Sequence, residues 1–165
     1  MNSGVIGVLI LAASGYIFVS EYSASLTGRV EEYRSVTKLI EFIFLSLSSS
    51  AEPVGDIVDK FLKRGNTVTK FISNMYSFKD GRFELARERE PEADTLLYEN
   101  DKEKIRKLFS EYGRYGIDEQ RRILNDTKAH FTERLREIES VSEKNKKAAN
   151  LIYIALFIGA FILVI

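Results

Sequence analysis

The sequence predicts an all-α membrane protein, with two terminal transmembrane helices and an intervening soluble bundle of about five helices. Three observations carry this. The 24 basic and 24 acidic residues all lie between Glu21 and Lys147, leaving both ends of the chain uncharged. Apolar residues in the middle recur at three- and four-residue steps, the period of a helix with one buried stripe. Two prolines, no tryptophan and many Glu, Lys, Arg and Leu residues favour helix over sheet.

The first apolar segment is Gly4 to Val19, GVIGVLILAASGYIFV. About 16 residues of helix span ~24 Å, short of a hydrocarbon core of roughly 30 Å. Ser20 and the weakly polar Tyr22 to Leu26 can extend it. A cleaved signal peptide would use Ala12, Ala13 and Ser14 as small residues near its cleavage point, but Met1 to Ser3 lack the basic start such a peptide carries. The second segment, Leu151 to Ile165, reads LIYIALFIGAFILVI and is lengthened by Ala148 and Ala149. Neither segment has the polar stripe of a buried core helix. The expected division is an N-terminal transmembrane helix at 1–20, a helical domain at 21–147 and a C-terminal transmembrane helix at 148–165. Arg29, Arg34 and Lys38 follow the first segment, and Lys144, Lys146 and Lys147 precede the second. Basic residues stay on the cytoplasmic side, so the middle domain is expected in the cytoplasm with both termini outside it.

Within the middle, Tyr22, Leu26, Val30, Tyr33, Val36, Ile40, Ile43 and Leu47 form one stripe, so the first long helix continues from the anchor to the serines at 48–50. Pro53 opens a short helix with Val54, Ile57, Val58, Phe61 and Leu62 inward, and Gly65 stops it. Asn66 can cap the next, whose face is Val68, Phe71, Ile72, Met75 and Tyr76. Lys79 to Gly81 is a turn. Arg82 to Glu90, RFELARERE, reads as a charged helical segment broken by Pro91. Asn100 to Glu103 resembles a capping box for a helix that buries Ile105, Leu108, Phe109 and Tyr112. Gly113 and Gly116 bracket the turn YGRYGID. Asp118 can cap the last helix, from about Glu119 to the second anchor, with Leu124, Phe131, Leu135, Ile138 and Val141 or Ser142 on its seam.

Little in this pattern carries chemistry. Balanced charge argues against a nucleic-acid surface, which needs a basic excess. The chain has no cysteine and a single histidine, His130, too few for a transition-metal site. No phosphate loop and no nucleophile elbow are present. The expectation is a protein without a catalytic site, cofactor, metal or small-molecule substrate, acting through protein contacts. Aromatic and arginine residues dominate contact hot spots. They gather around the glycine turn, where the partner-binding candidates are Phe109, Tyr112, Gly113, Arg114, Tyr115, Gly116, Asp118, Gln120, Arg121 and Arg122. Core packing between two helices is the competing explanation for the aromatics.

Three stretches resemble the stage III sporulation protein AB family of spore-forming Firmicutes. They are LIEFIFLSLSSSAEPVGDIVDKFLKR (Leu39 to Arg64), LFSEYGRYGIDEQRRI (Leu108 to Ile123) and KNKKAANLIYIALFIGAFILVI (Lys144 to Ile165). The two-anchor layout matches as well. The stretch Gly113 to Gln120 is shorter than the family pattern, and Tyr115 stands in place of a leucine. The family is similar to the cytoplasmic helical domain of type II secretion F proteins. The resemblance implies a platform or adaptor in the mother-cell membrane around the forespore. It would belong to a secretion-like channel complex, binding a secretion-type ATPase and other membrane subunits. A type II secretion or pilus platform fragment and a membrane-tethered helical sensor are the alternatives.

Overall fold

The computed structural model describes residues 3–49, 71–72, 76–79, 82–85, 95–112 and 114–162. Among them are three helices, α1 (Ser3–Ser49), α2 (Glu99–Glu111) and α3 (Ile117–Ile162), and two short strands, β1 (Tyr76–Lys79) and β2 (Arg82–Leu85). The helical class therefore holds, while the expected count of about five helices is corrected to three among the described residues. Of the two short helices expected at 53–64 and 66–76, the first lies outside the described residues. Of the second only Phe71 and Ile72 are described, both helical and buried as the apolar face required.

The hairpin is a second correction. Arg82 to Glu90 was expected to be helical, yet Arg82–Leu85 pairs antiparallel with Tyr76–Lys79 in the register Tyr76↔Leu85 to Lys79↔Arg82. The sequence carries the signal. YSFK and RFEL alternate apolar with polar residues, and Asp80-Gly81 between them is a composition favoured by two-residue hairpin turns.

The chain divides into two compact units, Met1–Val30 with Glu137–Ile165, and Glu31–Arg136. The second unit holds the described core. Tyr33, Val36, Leu39, Ile40 and Ile43 of α1, Ile105, Leu108 and Phe109 of α2, and Leu124 and Phe131 of α3 are all almost fully buried, with the Tyr33 and Phe131 rings 6.2 Å apart. Of the expected α1 stripe, Val30, Tyr33, Val36, Ile40 and Ile43 are buried and Leu39 joins them, whereas Leu26 and Leu47 are partly buried and Tyr22 is exposed. Burying each such side chain contributes roughly 1.5–3 kcal/mol. Lys128 of α3 pairs with Glu41 of α1 at 2.8 Å and lies 5.8 Å over the Phe44 ring. Arg121 reaches the Leu47 carbonyl, 3.4 Å away near the α1 C-terminus, where a cation is favoured by the helix dipole.

In the first unit the seam of α3 continues through Ile138 and Ser142, both buried, while Val141 faces outward. That settles the choice between Val141 and Ser142. α1 and α3 are both long and apolar enough to cross a membrane, and none of their apolar windows is buried within the protein.

Candidate functional site

The turn between α2 and α3 divides the predicted contact residues by burial, with Gln120 and Arg121 in between. Phe109 and Tyr112 are buried, so core packing explains both, and burial pushes the Tyr112 phenol well above its ordinary range. Arg114, Tyr115, Gly116, Asp118 and Arg122 are exposed. Gly113 lies outside the described residues. Gln120 is partly buried and closes the turn. Its side-chain amide donates to the Tyr115 carbonyl at 2.6 Å, and its backbone N–H donates to Gly116 at 3.0 Å. Helix α3 thus starts at Ile117, with Asp118 in its first turn rather than at its cap.

Arg122 grips Glu119 through two bonds, of 2.9 and 2.5 Å, and holds that carboxyl below its ordinary range. It also lies 3.6 Å from Asp126. The exposed tip consists of Arg114, Tyr115 (46% exposed) and Ile117 (60% exposed). Beside it a groove of about 350 Å³ runs between α2 and α3, lined by Lys104, Lys107, Glu111, Tyr115, Glu119 and Arg122 among others. An aromatic and an aliphatic side chain held in water beside a charged groove suit contact with another protein, since an apolar anchor with a polar rim is how interfaces are built.

At the other end of α2 lies a polar cluster that sequence reasoning missed. Asp101, 3% exposed, was expected to belong to a capping box. The N-cap is instead Tyr98, without a side-chain cap bond, and its carbonyl accepts the N–H groups of Asp101 and Lys102 at 3.0 Å. The Asp101 carboxylate turns inward. It accepts from the Tyr33 hydroxyl at 2.5 Å, and also meets His130 Nε2 at 2.8 Å and Arg134 Nε at 3.3 Å. Burial alone would raise its pKa, but the bonds from Tyr33, His130 and Arg134 outweigh burial and hold it below its ordinary 3.8. Burial and the bond to Asp101 push the Tyr33 phenol well above 10.0, so it stays a donor. The Tyr98 N–H donates to the same hydroxyl at 3.1 Å, and Arg134 lies 5.0 Å over the Tyr98 ring. Glu32, also buried, accepts the Leu96 N–H at 2.7 Å. One carboxylate therefore ties α1, the start of α2 and α3 together, at the end of α2 opposite the exposed turn. His130, the lone histidine, serves this clasp.

In the first unit the close approach falls at Gly15. A Cβ there would meet the Tyr153 ring at 3.0 and 3.1 Å, and the Tyr153 hydroxyl donates to the Ala12 carbonyl at 3.2 Å. Lys146 donates to Thr27 at 2.8 Å. Gly7 and Gly159 face open space. Gly15→Leu is expected to displace Tyr153 and destabilise this pairing by about 1–3 kcal/mol. The change would be read as a lower melting temperature of the full chain in detergent. Gly7→Leu, with nothing to displace, should leave melting unchanged.

Searches of curated proteins and of solved structures find no match to the chain. A family comparison does: the model of stage III sporulation protein AB matches residues 4–165, from the first apolar segment through the last. On that match the chain belongs to the stage III sporulation protein AB family.

Proposed function

We propose that this stage III sporulation protein is a membrane-anchored platform that recruits a cytoplasmic secretion-type ATPase and neighbouring membrane subunits to a transenvelope channel complex. The anchors are the apolar ends of α1 and α3, and the docking surface is the turn between α2 and α3. The protein contributes binding rather than catalysis. The observation that carries the reading is the exposed Arg114–Tyr115–Ile117 tip beside the charged groove. The basic residues flanking both apolar ends favour a cytoplasmic domain, with the mother-cell membrane around the forespore as the site of action.

The test is capture of the ATPase by the full chain. Arg114→Glu with Tyr115→Ala is expected to weaken binding by roughly 10- to 100-fold, the effect of losing a hot spot. Arg136→Glu, an exposed change on α3 away from the turn, should leave binding intact. Equal binding by both variants would remove the turn from the proposal. Because the chain has no cysteine, Glu103→Cys supplies a unique label. Reaction with an impermeant reagent in intact cells would overturn the cytoplasmic assignment.

A further inference from the structure

Helical spacing gives each long helix of the first unit an inner and an outer row. On α1 the inner row is Ala12, Gly15, Val19 and Leu26, all partly buried, and Ala12 and Gly15 meet Tyr153 of α3. The outer row on the opposite side is Ile10, Ser14, Ile17 and Glu21, all exposed. On α3 the inner row is Ser142, Lys146, Ala149 and Tyr153, buried or partly buried. Its outer row is Lys144, Lys147, Leu151 and Ile154, all exposed. One outer row therefore ends on a carboxylate, and the other begins with two ammonium groups.

The two charged ends lie at similar height. α1 and α3 run antiparallel here, with Gly15 against Tyr153 and Thr27 against Lys146. Between those contacts, Glu21 is level with Ala149 and Asn150. At a rise of about 1.5 Å per residue, Lys147 is then ~4 Å and Lys144 ~8 Å away along the axis. Within one chain they do not meet, because the outer rows face away from each other across the helix pair. Glu21, Lys144 and Lys147 have no hydrogen-bond or ion-pair partner among the described residues, whereas Lys146 is engaged by Thr27. Glu143, four residues before Lys147, is the other acid on this flank of α3, one carboxylate beside two free lysines.

Copies of one chain that enter a membrane in the same direction share the same depth. Set side by side, the outer row of α1 in one copy meets the outer row of α3 in the next at matching heights. Carboxylate then faces ammonium, and Ile17 faces Leu151 and Ile154. We infer that the chain binds a second copy of itself in the membrane, head to tail, through the α1 row ending at Glu21 and the α3 row beginning at Lys144. The inference rests on the reading that these helices cross a membrane. The two surfaces differ and lie on opposite sides, so each joined pair leaves one of each open, and the contact repeats into a ring or a row.

The test uses the cysteine-free full chain in cell membranes. One tagged copy carries Ile17→Cys and a differently tagged copy carries Ile154→Cys, positions at nearly the same height on the two outer rows. Oxidation is expected to join the two tags in clear excess over products that join like positions. Glu21→Lys in the first copy should cut the mixed product about threefold or more, the effect of losing one ion pair. Lys147→Glu in the second copy should do the same. Combining the two reversals should restore the product, which a merely structural effect of either change would not do. Absence of mixed product would overturn the proposal, as when lipid or another subunit covers the outer rows. So would an equal yield of like-position products, or no recovery in the doubly reversed pair. Carbonate extraction separates the two levels. A chain released by carbonate defeats the membrane reading itself, whereas a retained chain without mixed product defeats only the self-association.

Discussion

Replacing Asp101 with alanine is expected to destabilise the Glu31–Arg136 unit by about 3 kcal/mol, the largest effect of any single polar substitution in it. The magnitude follows from what the change strands. Hydrogen bonds to a charged group contribute roughly 1.5–3 kcal/mol, and a buried group left without a partner costs about 1–3. His130 and Arg134 are 34% and 36% exposed, so water can replace most of what they lose. Tyr33 is fully buried, so its hydroxyl proton has nowhere else to go. Asp101→Asn keeps an acceptor for Tyr33 and should cost less, about 1–2 kcal/mol. Tyr33→Phe should cost about as much, because the Tyr98 N–H loses its acceptor. Combined, Tyr33→Phe and Asp101→Ala should fall short of additivity, since they remove the same bond. Thermal unfolding of the full chain in detergent provides the measurement, with a shift on the order of 10 °C for Asp101→Ala.

The same carboxylate sets an acid dependence. Its native pKa is depressed below 3.8, so its stabilisation is complete above the unfolded-state value and is lost as pH falls through the native one. The difference in melting temperature between the native chain and Asp101→Asn should therefore be constant from pH 5 to 7 and narrow below about pH 4. A difference that stays constant down to pH 2 would show that the clasp does not depend on the charge.

A single arginine in the second apolar segment is expected to release the chain from membranes. Leu156 lies near the middle of 148–165 and is exposed on α3. A charge at the centre of a spanning helix costs roughly 2.5–3.5 kcal/mol on insertion scales. A segment of about 18 residues has little surplus length with which to slide the charge to the interface. Leu156→Arg should shift a large share of the protein into the carbonate-soluble fraction. Val141→Arg, on an exposed position before the basic flank, should not. Equal retention of both variants would mean that α3 is not what holds the protein in the membrane.

Much of this fold is written in local spacing. Tyr33, Val36, Ile40 and Ile43 repeat at helical steps, and burying that stripe needs no knowledge of the partner. The same holds for Ile105, Leu108, Phe109 and Tyr112. The continuity of α1 and α3 into the apolar ends was legible because no proline interrupts the pattern where it joins them, and the one glycine there, Gly28, costs a helix only about 1 kcal/mol. Periodicity failed where a short segment had two possible readings. Phe83 and Leu85 fit a charged helix or a strand, and pairing with Tyr76–Lys79 decided it. The partner-binding candidates divided for a similar reason. An aromatic beside a glycine turn can face either way, and packing took Phe109 and Tyr112 inward while leaving Tyr115 in water.

By itself, then, the sequence determined the helical class, the two uncharged ends and the buried stripes, because each depends on residue type at a fixed local period. The tertiary structure alone decided that Asp101 turns inward to residues 68, 29 and 33 positions away. It also decided that Gly15, rather than Gly159, meets the opposing helix. Polar residues on a helix surface look alike in sequence. Which one is buried depends on the donors that distant segments bring to it, and which glycine matters depends on the side chain that happens to lie across from it.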